Sequence, residues 1–252
     1  MQSPRRLLLA VFVLLTVLGL DVNAWPPENQ ETIARTAARL APPDLHRQLI
    51  RNRESYVIGV LEPFQRPRKG NLEEITQKLI EDAILAIQAP RPLNEVAYRL
   101  GLVAHYITAA NDPLILRPDR KVMPYRGDFQ RYAQSVEPRL RVVFYGFRQN
   151  FDASRDLRRM LGEASTRSDE LYPLIDREYN RIGFQSGIGR FTDRSTAYGA
   201  VSLAYSHAVT DIAEVLRYIW VKAGGIDTRQ RLPLRGREMV RIPLQEDSRK
   251  PR

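Results

Sequence analysis

The sequence predicts an all-α protein built as a single multi-helix domain. Apolar residues recur at spacings of three and four, and no stretch alternates strictly between apolar and polar residues as a half-buried strand does. The chain has 252 residues, 43% of them hydrophobic and 27% charged. That length and composition suffice for a buried core without covalent staples. There is no cysteine, which excludes disulfides, thiolate metal sites and cysteine nucleophiles. Lys and Arg number 39 against 29 Asp and Glu, a net charge of +10.

Residues 1–24 read as an export signal. Arg5 and Arg6 precede an apolar run from Leu7 to Leu20, and Val22 and Ala24 are small residues at the −3 and −1 positions of a cleavage site. The run is shorter than the roughly 20 residues that span a bilayer. Its alternative reading is an uncleaved N-terminal membrane anchor. Cleavage after Ala24 would release a periplasmic or secreted chain beginning at Trp25, with 37 basic and 28 acidic residues and a net charge of +9.

Residues 25–225 are expected to form the helical domain. Ile33, Ala37 and Leu40 stripe a first helix over 28–40, stopped by Pro42 and Pro43. Asp44 opens a second, running to Leu61 before Pro63. Asn71 and Glu74 are spaced like a capping box for a third, striped by Ile75, Leu79, Ala83 and Ile87. A fourth spans 95–110 and closes at Asn111-Asp112-Pro113. The next begins at Gly127-Asp128 and continues to about Arg148 with a kink at Pro138, and another runs from Asp152 or Ser154 to Tyr179 with a break at Pro173. Gly183, Gly187 and Gly189 mark a loop over 183–192. The last helix covers 195–223, with Ala200, Ala204, Ala208, Ile212, Val215 and Ile219 on one face and Gly224-Gly225 as its stop. Residues 226–252 hold eight basic and four acidic residues with prolines, and read as a flexible basic tail.

Histidines are scarce: His46, His105 and His207 are the whole set. His105 lies in the apolar run Leu100 to Tyr106 and reads first as a core histidine held by hydrogen bonds. A metal site on that helix would need a carboxylate four residues on, where Ala109 stands. His207 and Asp211 do share a helix face at that spacing, continued by Glu214, and read as a hydrogen-bonded pair or an auxiliary polar site. His46, in the first turn of its helix, is expected at the surface. Asp169, Glu170, Asp176 and Glu178 read as a charged helix face, and no nucleophile elbow is present.

The stretch Leu-Gly-Leu-Val-Ala-His-Tyr-Ile-Thr-Ala-Ala-Asn-Asp-Pro-Leu from Leu100 to Leu114 resembles the central helix of the zinc-dependent phospholipase C and P1 nuclease superfamily. Trp25, directly after the expected cleavage site, is a second point of likeness, and the resemblance covers Trp25 to Arg148. It implies an exported all-α fold, a trinuclear zinc site and hydrolysis of phosphate esters. It also implies that Trp25 and His105 stand at metal-binding positions. Phe64, Ala109, Ile115, Phe129 and Ala133 stand where the family carries metal ligands.

A zinc ion takes about four N, O or S donors. The expectation is therefore a chain without a metal cofactor, a non-catalytic envelope module. Its positive charge would draw it to anionic lipid headgroups, polyanionic glycans or nucleic acid. The alternative is a zinc-dependent phosphoesterase with a reduced or rearranged site, in which His207, Asp211 and Asp112 join His105.

Overall fold

The computed structural model describes residues 25–66, 68, 70–114, 123–227 and 240–243. Two helices in it are apolar almost all round, and the others enclose them. These are α5 (Leu93–Ala110) and α9 (Thr196–Lys222). From Leu100 to Ala110 every side chain of α5 is buried, as is every one of α9 from Ala208 to Leu216. Around them lie α1 (Pro27–Ala38), α2 (Pro43–Arg51), α3 (Arg53–Gln65), α4 (Leu72–Gln88), α6 (Met123–Val136), α7 (Ala153–Ile182) and the single turn α8 (Gly187–Arg190). The protein is an all-α domain, as its periodicity predicts. Among the described residues, no helix is long and apolar enough to cross a membrane.

Local chemistry places most helix ends. Asn71 caps α4 by accepting from the Glu73 N–H at 2.8 Å, Asp152 caps α7 through the Ser154 N–H at 2.9 Å, and Ser195 caps α9. Gly224, at φ +97°, takes up the left-handed conformation just past α9. Pro173 does not break α7. It lies on the exposed face, where water can satisfy the carbonyl that its ring leaves without a donor.

Several expectations are corrected. The helix predicted over 44–61 is two, α2 and α3, divided at Asn52, and Pro63 lies inside α3 rather than beyond it. The Asn52 amide donates to the Gln48 carbonyl at 2.9 Å, satisfying an acceptor at the break. The loop predicted over 183–192 contains the turn α8. The helix predicted to run to Arg148 stops at Val136. A 3₁₀ turn (Glu137–Arg139) holding Pro138 follows it, and then comes strand β1 (Arg141–Phe144).

A second strand, β2 (Val240–Pro243), pairs antiparallel with β1, Arg141 opposite Pro243 and Phe144 opposite Val240. Part of the expected flexible tail is thus ordered as a ribbon. Residues 228–239 and 244–252 of that tail, and the export signal, lie outside the described residues.

The closest helix crossing is α3 on α5. A Cβ placed on Gly59 would overlap the Tyr98 carbonyl oxygen, and one on Gly101 the Tyr56 carbonyl oxygen. Gly101→Ala is therefore expected to force the helices apart and to destabilise the protein by more than about 2 kcal/mol in urea unfolding. At Gly162, where a Cβ meets nothing within 4 Å, alanine should be neutral or slightly stabilising.

Candidate functional site

Backbone packs on backbone where Gly59 and Gly101 meet, and this brings the carbonyl of Val60 to the ring of His105. The Nδ1 atom lies 2.8 Å from that oxygen. A carbonyl only accepts, so Nδ1 carries the proton of a neutral imidazole. Phe64 stands edge-on to the ring at 5.3 Å and Tyr106 at 5.0 Å, leaving His105 2% exposed. Desolvation holds its pKa down to about 4, against the weaker opposing pull of the Val60 carbonyl. His105 is a core histidine held as the sequence suggests, by a bond whose partner lies on another helix.

Trp25 is buried among other aromatic side chains. Its indole meets Tyr205 edge-on at 5.1 Å and lies 6.4 Å from the ring of Phe129. Ala109, Phe129 and Ala133 are buried in the same apolar cluster, and Ile115 lies outside the described residues. The structure brings Trp25 to Phe129 and His105 to Phe64. It does not gather Asp112, His207 and Asp211 around His105. Among the described residues, no group of three His, Asp or Glu side chains is placed to hold a metal ion. With Phe64 and Tyr106 against His105 and hydrocarbon at Ala109, Phe129 and Ala133, these residues do not fit the three-zinc shell that the resemblance implies.

The polar residues of α9 have other tasks. Asp211 is 1% exposed, and its Oδ2 accepts from Arg167 on α7 at 2.8 Å and from Asn111, at the end of α5, at 3.3 Å. Its Oδ1 lies 3.5 Å from the Arg148 guanidinium, which also pairs with Glu163 at 2.8 Å. His207 instead stacks on Tyr145, with centroids 4.4 Å apart. Asp112 turns back to accept from the Leu114 N–H at 2.7 Å, and burial pushes its carboxyl up to about 6. His46, expected at the surface, is half-buried, its Nδ1 3.0 Å from the Ala38 carbonyl.

One stripe of α9 reaches toward β1 and the segment after it. The hydroxyls of Ser206 and Thr210 accept from the backbone N–H groups of Val143 at 3.0 Å and Tyr145 at 3.2 Å. Glu214, one turn on, accepts the Arg148 N–H at 2.6 Å through Oε2. Ser206, Thr210 and Glu214 recur every four positions along one face of the helix, a spacing readable in the sequence. Burial raises the Glu214 carboxyl to about 7, only partly countered by Arg148 and Arg217. No protein-family model, curated protein or solved structure matches the chain.

Two outcomes follow from these environments. Protonating His105 favours the unfolded chain, so the stability due to its neutral ring is present above the unfolded pKa of about 6.5 and is lost as pH falls toward about 4. The cost of His105→Leu, measured by urea unfolding, should therefore shrink by about 2 kcal/mol between pH 7 and pH 5. Taking the difference between variant and parent removes the opposite slopes that Asp112 and Glu214 contribute. Asp211→Ala leaves Arg167 and Arg148 without their shared carboxylate and should cost about 3 kcal/mol by the same measurement.

Proposed function

We propose that the chain is an exported, non-catalytic helical module that associates with anionic partners. In this reading it keeps the scaffold of a phospholipase C and P1 nuclease-like protein and has lost the zinc shell. The observation that carries the reading is what faces His105: Phe64 and Tyr106 rather than carboxylates. The hydrocarbon at Ala109, Phe129 and Ala133 supports it further, because these positions offer no donor to a cation.

Charge supplies the attraction. The net of +9 on the exported chain is carried by many exposed arginines, among them Arg155, Arg158 and Arg159 on α7, whose side chains are 68%, 82% and 63% exposed. Each also has an acidic neighbour, so the field is the sum of an excess rather than a bare patch. Lipid headgroups, polyanionic glycans and nucleic acid share the dense oxyanions that such a surface attracts.

Retention on anionic vesicles, heparin or DNA should fall steeply as salt rises from about 0.05 to about 0.5 M, since the screening length shrinks severalfold over that range. Uncharged vesicles should retain nothing. Protein dialysed against zinc should emerge without stoichiometric metal and without phosphoesterase activity. One zinc or more per chain, or salt-insensitive retention, would overturn the reading.

A further inference from the structure

Helices α2, α4, α5 and α9 leave a pocket of about 200 Å3 where they meet. Leu45 and Leu49 of α2, Ile87 of α4, Val96 and Leu100 of α5 and Trp220 of α9 line it. The indole N–H of Trp220 donates to the Ile226 carbonyl at 3.3 Å, so the polar atom of that ring is already used. Gln48 and Arg91 are the polar residues of the lining.

Such a space suits hydrocarbon better than water, which needs two to four polar partners to stay. An apolar cavity of roughly 150 Å3 takes up benzene, so by the same ratio this one accommodates about eight carbons. The pocket is not closed over. Arg91, just before α5, has its side chain 50% exposed, and Leu93, the first residue of α5, is 46% exposed; the two mark its mouth.

Charge at that mouth is unbalanced. Glu95 Oε1 accepts from Arg91 Nη1 and from Arg99 Nη2, each at 2.8 Å, so one carboxylate serves two guanidiniums. Neither arginine has a second acidic partner among the described residues. Arg91 spends one of its five N–H groups on this pair, and its Nε and Nη2 make no hydrogen bond among the described residues. A guanidinium with donors to spare takes a further carboxylate through two parallel bonds.

We propose that this pocket binds a free medium-chain alkyl carboxylate, its chain among the four helices and its head on Arg91. The two halves of that ligand answer two separate observations, the apolar lining and the uncompensated guanidinium at its edge. The site goes beyond the association with anionic partners above and does not rest on it. Summed charge attracts any polyanion, whereas this pocket also asks for a chain that fits, and a chain longer than about eight carbons gains nothing once the space is full.

Calorimetric titration of the purified protein at low salt tests this with butanoate, hexanoate, octanoate and dodecanoate, and with octanol as a chain without the charge. Affinity should rise about fourfold per methylene as far as octanoate, the gain from burying each one, and level off beyond it. Octanoate should bind up to about fivefold more tightly than octanol, as an exposed ion pair allows. Arg91→Gln should abolish that difference and leave octanol unchanged. Ala86→Leu puts a larger side chain into the lining and should weaken the whole series.

The proposal fails if octanoate does not bind or if octanol matches it. It fails equally if affinity ignores chain length, or still climbs at dodecanoate as adsorption to open apolar surface would. Sedimentation supplies a further check: a stable dimer that octanoate leaves intact would mean that a second copy fills the pocket, and would overturn the assignment. The chain-length series uses the parent, so an Ala86→Leu protein that did not fold would leave the test intact. Vesicle, heparin and DNA retention reads the other proposal separately.

Discussion

Asp211 is a carboxylate with 1% exposure on the most enclosed helix, and much of the architecture answers that burial. A charge so placed has to be met by opposite charge and hydrogen bonds, because water cannot reach it. Ala208, Ile212 and Val215, its neighbours on the helix, are hydrocarbon. The partners come from three other segments: Arg167 from α7, Asn111 from the end of α5, and Arg148 from the residues after β1. Apolar packing alone is non-directional and would let α7 settle in more than one register against α9. The guanidinium of Arg167 reaches the carboxylate in one of them. A buried ion pair of this kind adds little net stability over hydrocarbon, yet removing one side of it is expensive, so its effect is to separate one packing from its neighbours.

The elements held together by local chemistry were legible in the sequence. Helix α9 was expected over 195–223 and runs from Thr196 to Lys222 with Ser195 as its cap, because a serine cap, an apolar stripe and a glycine stop all agree. Helix α7 was legible except for Pro173, whose effect depends on which face it occupies, and that is settled by packing. The β1–β2 ribbon was not legible. Each strand is four residues long, too short for alternation to stand out, and β1 is held partly by the hydroxyls of Ser206 and Thr210. Pro138 marks a disturbance in the sequence whose strength is not readable there: it sits in a 3₁₀ turn that ends the helix outright. At the candidate site, the core character of His105 could be read from its apolar flanks. Its partner could not, since the Val60 carbonyl arrives by a crossing that two distant glycines permit. Asp211 was matched with His207 by helical spacing, but Arg167 and Arg148 lie far off in sequence, where no periodicity points.

His105 and Glu214 illustrate how the same desolvation leads to opposite roles. Burial favours the neutral form of each, driving the imidazole pKa down and the carboxyl pKa up. At His105 the surroundings complete the work. The proton on Nδ1 has an acceptor, the ring has aromatic neighbours, and the group contributes to folding by staying uncharged. At Glu214 the surroundings stop halfway. One oxygen docks the backbone of Arg148 and helps hold the chain between β1 and α7, while the other is buried without a hydrogen-bond partner among the described residues. A protein can leave a buried histidine closed in because nothing is then wanting. A carboxyl with one satisfied oxygen is a costlier occupant of the core, and its bond to the Arg148 N–H is what the fold obtains from it.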